Sequence, residues 1–392
     1  MGVGAEVVTP LRHLYVHIPF CRSRCAYCDF ASEPVGPHLR AGRVESYLER
    51  LRAELRERLG AAEDRLRAGE EGLTETIYLG GGTPTVLPAD LLVELVADLA
   101  RLQEAAPRRE LTVEANPGTI DAALLRSLAG SGMTRLSLGV QSFSAECRTA
   151  LGRHTAQEEI EGALHAISEV SSRLRGWNLD LVFGIPGQTW AGAAADIDRA
   201  IVAAPTHISL YDLTYTARFA AWVARTSGAG AQGAAGAFAE EYLPAAAARL
   251  QAAGYERYEV SNFALPGHEC RHNQAYWRGE DYLGVGAAAV STIGSERRSN
   301  PVSVAAYLAG EAPVVEALTP RIRLWERAML GLRTTEGIDE SEALPVLDLD
   351  ARDRLLGQGL LMRGCGRLRL NPAFLDVSNA VISALLDTPE EP

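Results

Sequence analysis

Lysine is absent from this 392-residue chain; all 38 of its basic side chains are arginine. That absence excludes a Schiff-base lysine and the phosphate-binding lysine of a Walker motif. An excess of positive charge is missing too. Fifty acidic residues give a net charge of −12 and an isoelectric point near 5.3, the wrong sign for a general nucleic-acid binder, which carries a basic face. No apolar run approaches the ~20 residues of a membrane span. The opening "MGVGAEVVTPLRH" lacks the basic region and apolar core of a signal peptide, so a cytoplasmic, reducing setting is expected. Cysteines are few, six in all, and in that setting they are not expected to form structural disulfides.

What the chain does have is alternation. Short β-rich runs at 14–20, 75–81, 111–116, 135–141, 178–186 and 207–214 are separated by helical stretches at 43–68, 89–105, 119–130, 144–150, 157–174 and 190–203. "PADLLVELVADLARL" has the apolar spacing of an amphipathic helix, with Asp90 as its expected N-cap. Strand followed by helix, six times over, predicts a parallel α/β fold. Six units are too few to close an eight-stranded barrel, which leaves an open partial barrel or a doubly wound sheet. The Ala/Gly-rich stretch 226–241 reads as a flexible connection or the start of an Ala-rich helix. The tail from about 301 reads as helix, helix, hairpin, helix, the pattern of a small winged-helix-like domain. The expected division is 10–230 for the barrel, 231–300 for a connecting segment and 301–392 for the small domain.

Three of the cysteines fall in eight positions, "CRSRCAYC" (21–28), directly after the first strand. Three thiolates suit a [4Fe–4S] cluster that keeps one iron open, because four would close every iron. A structural zinc, with His17 or Asp29 completing Cys21, Cys25 and Cys28, is the alternative. Other features gather at strand ends: Gly80–Thr83 after the second strand, Glu114 in the third, Gln141 ending the fourth and Asp180 in the fifth. In parallel α/β folds these C-terminal ends share one face, where sites are assembled. "LGVGAAA" (283–289) fits a dinucleotide turn, but neither a convincing strand before it nor a long helix after it supports that reading, and a packed Gly/Ala segment is expected.

"YVHIPFCRSRCAYCDF", "YLGGGTPT", "VEANPGT", "RLSLGVQSF", "LGRHT" and "NLDLVFGIPGQT" occur in this order. Together they resemble the radical S-adenosylmethionine (SAM) proteins related to oxygen-independent coproporphyrinogen III dehydrogenase. The resemblance implies a partial (β/α)6 TIM-type barrel with a small C-terminal domain, and a [4Fe–4S] cluster on Cys21, Cys25 and Cys28. It implies Tyr15 near the methionine end of SAM and the Tyr27 backbone beside its adenine. Gly81, Gly82 and Thr83 would meet its amino group. Glu114 would bind the cosubstrate, Gln141 and Asp180 its ribose region, and Arg153 its carboxylate.

Two features are similar to the haem chaperone branch of that family. Phe30 stands where the dehydrogenase has a further cysteine, and "HNQAYW" carries the branch's H-N-x-x-Y-W pattern as His272, Asn273, Tyr276 and Trp277. Haem is therefore an expected ligand, with His272 on iron and the aromatics over the porphyrin, and client haemoproteins are the expected partners. Transient membrane contact during delivery is compatible with this reading; nucleic acid is not a partner. If "GHECRHN" is extended, His268, Cys270 and His272 share a face, which makes Cys270 an alternative iron ligand or the three a site for a stray metal. A radical oxidoreductase or methyltransferase acting on a tetrapyrrole is the competing function, since the cluster and SAM residues are all present.

Overall fold

The computed structural model describes residues 11–35, 41–67, 74–104, 106–226 and 235–387. The expected boundaries at 10 and 230–231, the chain end at 392 and residues 227–234 of the Ala/Gly-rich connection lie outside the described residues. From Ala235 the chain is helical to Ala252.

Six strands alternate with helices: β1 (His13–Ile18), α1 (Ala41–Arg67), β2 (Thr76–Gly81), α2 (Ala89–Arg101), β3 (Glu110–Ala115), α3 (Ala122–Gly130), β4 (Arg135–Gln141), α4 (Gln157–Val170), β5 (Gly176–Phe183), α5 (Trp190–Ala203) and β6 (His207–Asp212). They pair side by side in chain order, all parallel. Sequential order without a reversal is the winding of a barrel, not of a doubly wound sheet. The barrel is open. Asn262–Ala264 and Glu256–Arg257 extend it antiparallel beyond β6, and a seventh parallel strand, β7 (Leu283–Val285), pairs outside β1.

Strand alternation sorts the residues onto two faces. Leu14, Val16, Ile18, Ile77, Leu79, Leu111, Val113, Leu136, Leu138, Leu179 and Leu181 point to the helices and form the main core. The alternate positions are polar or aromatic: His13, Tyr15 and His17 on β1, Thr76 and Tyr78 on β2, Glu110, Thr112 and Glu114 on β3, Ser137 on β4, Asn178 and Asp180 on β5. These line the concave side. The helices cover the other side through apolar stripes such as Val44, Tyr47, Leu48 and Leu51 of α1 and Leu92, Leu95, Val96 and Leu99 of α2.

One local expectation is corrected. The N-cap of α2 is Pro88, with Asp90 inside the first turn, where it still faces the positive end of the helix dipole. The segment 283–289 is packed, as expected, around a short buried strand. Its glycines serve packing: a Cβ on Gly284 would strike the Val290 backbone, and Gly286 (φ +100°) has the His17 carbonyl and the Tyr47 hydroxyl about it.

Beyond the barrel, α7 (Pro320–Gly331), β8 (Ile338–Asp339), α8 (Leu349–Gly357), the hairpin β9 (Leu361–Gly364)–β10 (Arg367–Leu370) and α9 (Ser378–Leu385) surround a second core of Leu332, Val346, Leu368, Leu370 and Leu385. Between β6 and β7 lies the short helix α6 (Arg271–Trp277). With β10 between β8 and β9, the small domain has winged-helix order. No described helix is long and apolar enough to cross a membrane.

Candidate functional site

Phe20–Cys21 pairs in parallel with Glu33–Pro34, so residues 22–32 form a closed loop on the C-terminal end of β1. The Glu33 amide donates to the Pro19 carbonyl (2.6 Å) and the Val35 amide to that of Cys21 (2.8 Å). His17 supports the loop from below: Nε2 lies 2.9 Å from the Ala31 carbonyl and Nδ1 3.0 Å from the Tyr15 hydroxyl. A carbonyl only accepts, so Nε2 carries the proton and Nδ1 receives the tyrosine's. Burial lowers the His17 pKa and keeps it neutral. Cys21, Cys25 and Cys28 are half-buried free thiols, and burial pushes the thiols of Cys21 and Cys28 up. They hold their protons until a metal displaces them. Phe30 is 65% exposed, outside the packed part of the loop.

Arg153, only 7% exposed, reaches across to this loop. Its Nη1 lies 3.8 Å from the Cys25 sulfur, and its Nη2 donates to Asn116 Oδ1 at 2.5 Å and to the Gly139 carbonyl. Its Nε is buried with no partner. Asn116 in turn donates to Thr83 Oγ1 (2.7 Å), which lies 3.6 Å from the Cys21 sulfur. Asn116 is a site residue the sequence reading missed; its place directly after β3 was the available signal. Gln141 ends β4 with φ +73° at a bulge, a strained conformation for a non-glycine residue at a strand end.

The three glycines at the end of β2 permit close packing. A Cβ on Gly80 would sit 2.8 Å from Glu114 Oε2, and one on Gly82 2.6 Å from the Phe20 carbonyl. The Gly81 amide donates to Glu114, that of Gly82 to Ile18 and that of Thr83 to Phe20. With these amides used inside the fold, the turn has carbonyl oxygens to offer an ammonium group. Glu114 also accepts from the Tyr78 hydroxyl (2.8 Å). Burial, aided by the nearby Asp180 charge, raises Glu114 to about 7. Asp180 is raised by burial as well, although Asn178 and Ser137 donate to it. Tyr27 packs against the cluster of Leu151, Val182 and Phe219, within reach of the Arg153 and Asp180 charges. Two crowded carboxylates and an arginine with a spare N–H fit a zwitterionic, cationic ligand such as SAM. The structure thus brings together Cys21, Cys25, Gly81, Gly82, Thr83, Glu114, Arg153, Asp180 and Tyr27.

The H-N-x-x-Y-W element lies at the opposite end. α6 is helical from Arg271, with Cys270 at its N-cap. His268, Cys270 and His272 therefore do not align at period two, which corrects the extended reading. His268, Cys270 and His272 form no three-ligand metal group. Glu110, first residue of β3, accepts the amides of Arg271 (3.2 Å) and His272 (3.0 Å), so α6 is pinned under the N-terminal ends of the strands. His272 is 1% exposed. Its ring stacks on Tyr78 (centroids 5.2 Å apart, 26°) and meets Tyr276 edge-on. Nδ1 is 2.8 Å from Thr76 Oγ1, and Nε2 is buried without a partner. Burial lowers its pKa to about 3. Asn273, Tyr276 and Trp277 instead line a cavity of about 570 Å³ shared with Tyr211, Glu259 and Met329.

Residues 15–200 match the radical SAM superfamily. A haem chaperone HemW of Mycobacterium tuberculosis is 34% identical over 95% of this chain and 94% of its own. Those of Synechocystis sp. (34%, over 87% and 82%) and Escherichia coli (35%, over 72% and 70%) are similar.

The chain belongs to the HemW haem chaperone family.

Membership of the radical SAM superfamily implies a [4Fe–4S] cluster and SAM. Coproporphyrinogen III oxidase (HemN) from Escherichia coli, a radical SAM enzyme, superposes with a TM-score of 0.77 over 96% of this chain and 90% of that one, at 24% identity. That likeness establishes the shared fold. Within this HemW-family chain, the concave-side residues His13, Thr76 and Tyr78 escaped the sequence reading. The alternation of "HLYVHI", which puts His13, Tyr15 and His17 on one face, was the signal that could have found the first of them.

Proposed function

We propose that this chain is a haem chaperone: it binds haem and hands it to client haemoproteins. Cys21, Cys25 and Cys28 hold the cluster, and Tyr15, Tyr27, Gly81, Gly82, Thr83, Glu114, Gln141, Arg153 and Asp180 hold SAM. The cluster, when bound, supplies a one-electron centre with one iron open to the amino and carboxylate groups of SAM. Arg153 is suited to the carboxylate through its spare Nε–H, and Glu114 and the Gly81–Gly82 turn to the positive end.

The observation that carries the haem reading is the unpartnered, buried Nε2 of His272 in the H-N-x-x-Y-W helix. A neutral imidazole with a free nitrogen is an axial ligand for haem iron. Tyr276 and Trp277 offer aromatic faces and Asn273 a polar group beside them. Cys270 suits the role less: burial pushes its thiol up to about 12, and it already donates to Glu110 at 3.6 Å.

Titration of the reconstituted protein with haem tests this. The expected result is a stoichiometric Soret band in wild type and binding at least tenfold weaker in His272→Ala. No stoichiometric binding by wild type would overturn the reading. The reduced protein, given coproporphyrinogen III without oxygen, is expected to make no vinyl product at turnover rates; product formation would assign it to the radical oxidoreductases instead.

A further inference from the structure

Asp180 is held from deeper in the barrel. Asn178 precedes it by two residues on β5, so both side chains point to the concave side. The sheet register puts Asn178 between Ser137 of β4 and His207 of β6, and Asp180 beside Ser209. Asn178 Nδ2 donates to Asp180 Oδ1 (2.7 Å) and to Ser137 Oγ (2.8 Å), and Ser137 Oγ donates to Asp180 Oδ2 (3.3 Å). Asn178 Oδ1 accepts from His207 Nδ1 (2.7 Å) and from Ser209 Oγ (3.1 Å). His207 Nε2 lies 2.8 Å from the Tyr258 hydroxyl. Asn178, His207, Ser137 and Ser209 are all buried.

We infer that Asn178, locked in place by His207 and Tyr258, is a positioning residue that sets the orientation of the Asp180 carboxylate, and with it the preference of the site for a ligand bearing ribose hydroxyls. An amide nitrogen only donates and an amide oxygen only accepts. With Nδ2 turned to the carboxylate, the Asn178 oxygen faces His207, whose Nδ1 carries the proton between them. Burial, with the Arg135 charge nearby, puts the His207 pKa well below its ordinary value. The ring therefore has no second proton, and Nε2 accepts from Tyr258. Tyr258 is fixed in turn at the seam with the small domain, where the Thr335 amide and hydroxyl both donate to its carbonyl (3.0 and 3.2 Å). A fully satisfied buried network of this kind holds one geometry. Asn178, Ser137 and Ser209 supply donors to Asp180, and the remaining acceptor capacity of the carboxylate is left for hydroxyl donors. Asn178, His207 and Tyr258 act through Asp180; none is placed on SAM. Side chains behind a binding group hold it to the productive geometry.

The inference rests on the proposed place of Asp180 at the ribose of SAM, and the experiment separates the two. Calorimetry on the full-length protein with its cluster reconstituted compares SAM with its 2′,3′-dideoxyribose analogue. Wild type is expected to prefer SAM about tenfold or more, and Asp180→Ala to lose the preference. Asn178→Leu, close in shape but without donor or acceptor, is expected to bring the preference below about threefold. Its iron content and its affinity for the analogue are expected to match wild type. His207→Leu is expected to reduce the preference about threefold, and His207→Asn, whose amide can replace Nδ1–H, to restore it. A merely structural role would weaken both ligands alike. That result, or a preference kept in Asn178→Leu or His207→Leu while Asp180→Ala loses it, would overturn the inference alone. A preference absent from wild type, or kept in Asp180→Ala, would overturn the ribose placement and the inference with it. If Asn178→Leu does not fold, Ser137→Ala, which removes another donor, is expected to reduce the preference about threefold, and an unchanged preference there also overturns the inference.

Discussion

The two ends of this open barrel are built on opposite electrostatic plans. At the C-terminal end the fold leaves interactions unfinished. Glu114 and Asp180 are both raised by burial, Glu114 also by the Asp180 charge, Arg153 keeps an N–H without a partner, and three thiols stay free. At the N-terminal end Glu110 caps α6 and a hydrogen-bonded chain runs from Glu280 to His272, whose Nε2, like Thr112 Oγ1 and His268 Nδ1, is buried without a partner. Unpaired buried polar groups cost ~1–3 kcal/mol each. Both ends carry such groups, Arg153 Nε at the first and His272 Nε2 at the second, but two buried carboxylates and an arginine suit a large charged ligand, and a neutral imidazole suits a single coordinate bond. Tyr78 touches both, donating to Glu114 while its ring stacks on His272.

The most drastic way to break the contrast is at the cysteine loop. Cys25→Ala is expected to abolish the cluster outright, with iron and sulfide in anaerobic preparations falling to background, while thermal unfolding of the cluster-free protein is little changed.

The next effect is one of pH. The folded pKa of Glu114, about 7, lies above its ordinary 4.5, so between those values the native chain binds more protons than the unfolded one. Stability therefore falls as pH rises across that window, by about 3 kcal/mol at most. Urea unfolding of the cluster-free protein from pH 4 to 8 should show the slope in wild type and a flatter one in Glu114→Gln.

Arg153→Met should then weaken SAM binding at least tenfold, about 1.4 kcal/mol, by calorimetry on the reconstituted protein, with iron content unchanged. Tyr78→Phe removes one hydrogen bond and keeps the stack. It should cost about 1 kcal/mol of stability and raise Glu114 further, shifting the pH slope upward without a tenfold change in haem affinity.

The six strand–helix units were legible because each helix carries an apolar stripe and each strand an alternating run long enough to register, and "RLSLGVQ" and 190–203 were read to the residue. The cysteine spacing offered a cluster or a structural zinc, and the family resemblance favoured the cluster. What escaped has physical reasons. β7 is three residues long among glycines and is defined by its pairing with β1. α6 was ambiguous because seven residues carry too little periodicity, and the cap that fixes it comes from Glu110, far away in the chain. A hydrogen bond joins His13 to Glu280 across 267 positions, a contact that only the closed fold creates.

The most direct test of two separate ends is the haem affinity of the cluster-free Cys25→Ala protein. Sites that share no ligand should act independently, so its haem dissociation constant is predicted to stay within about a factor of three of wild type. A loss of tenfold or more, with the protein still folded, would contradict the division of the barrel into two sites.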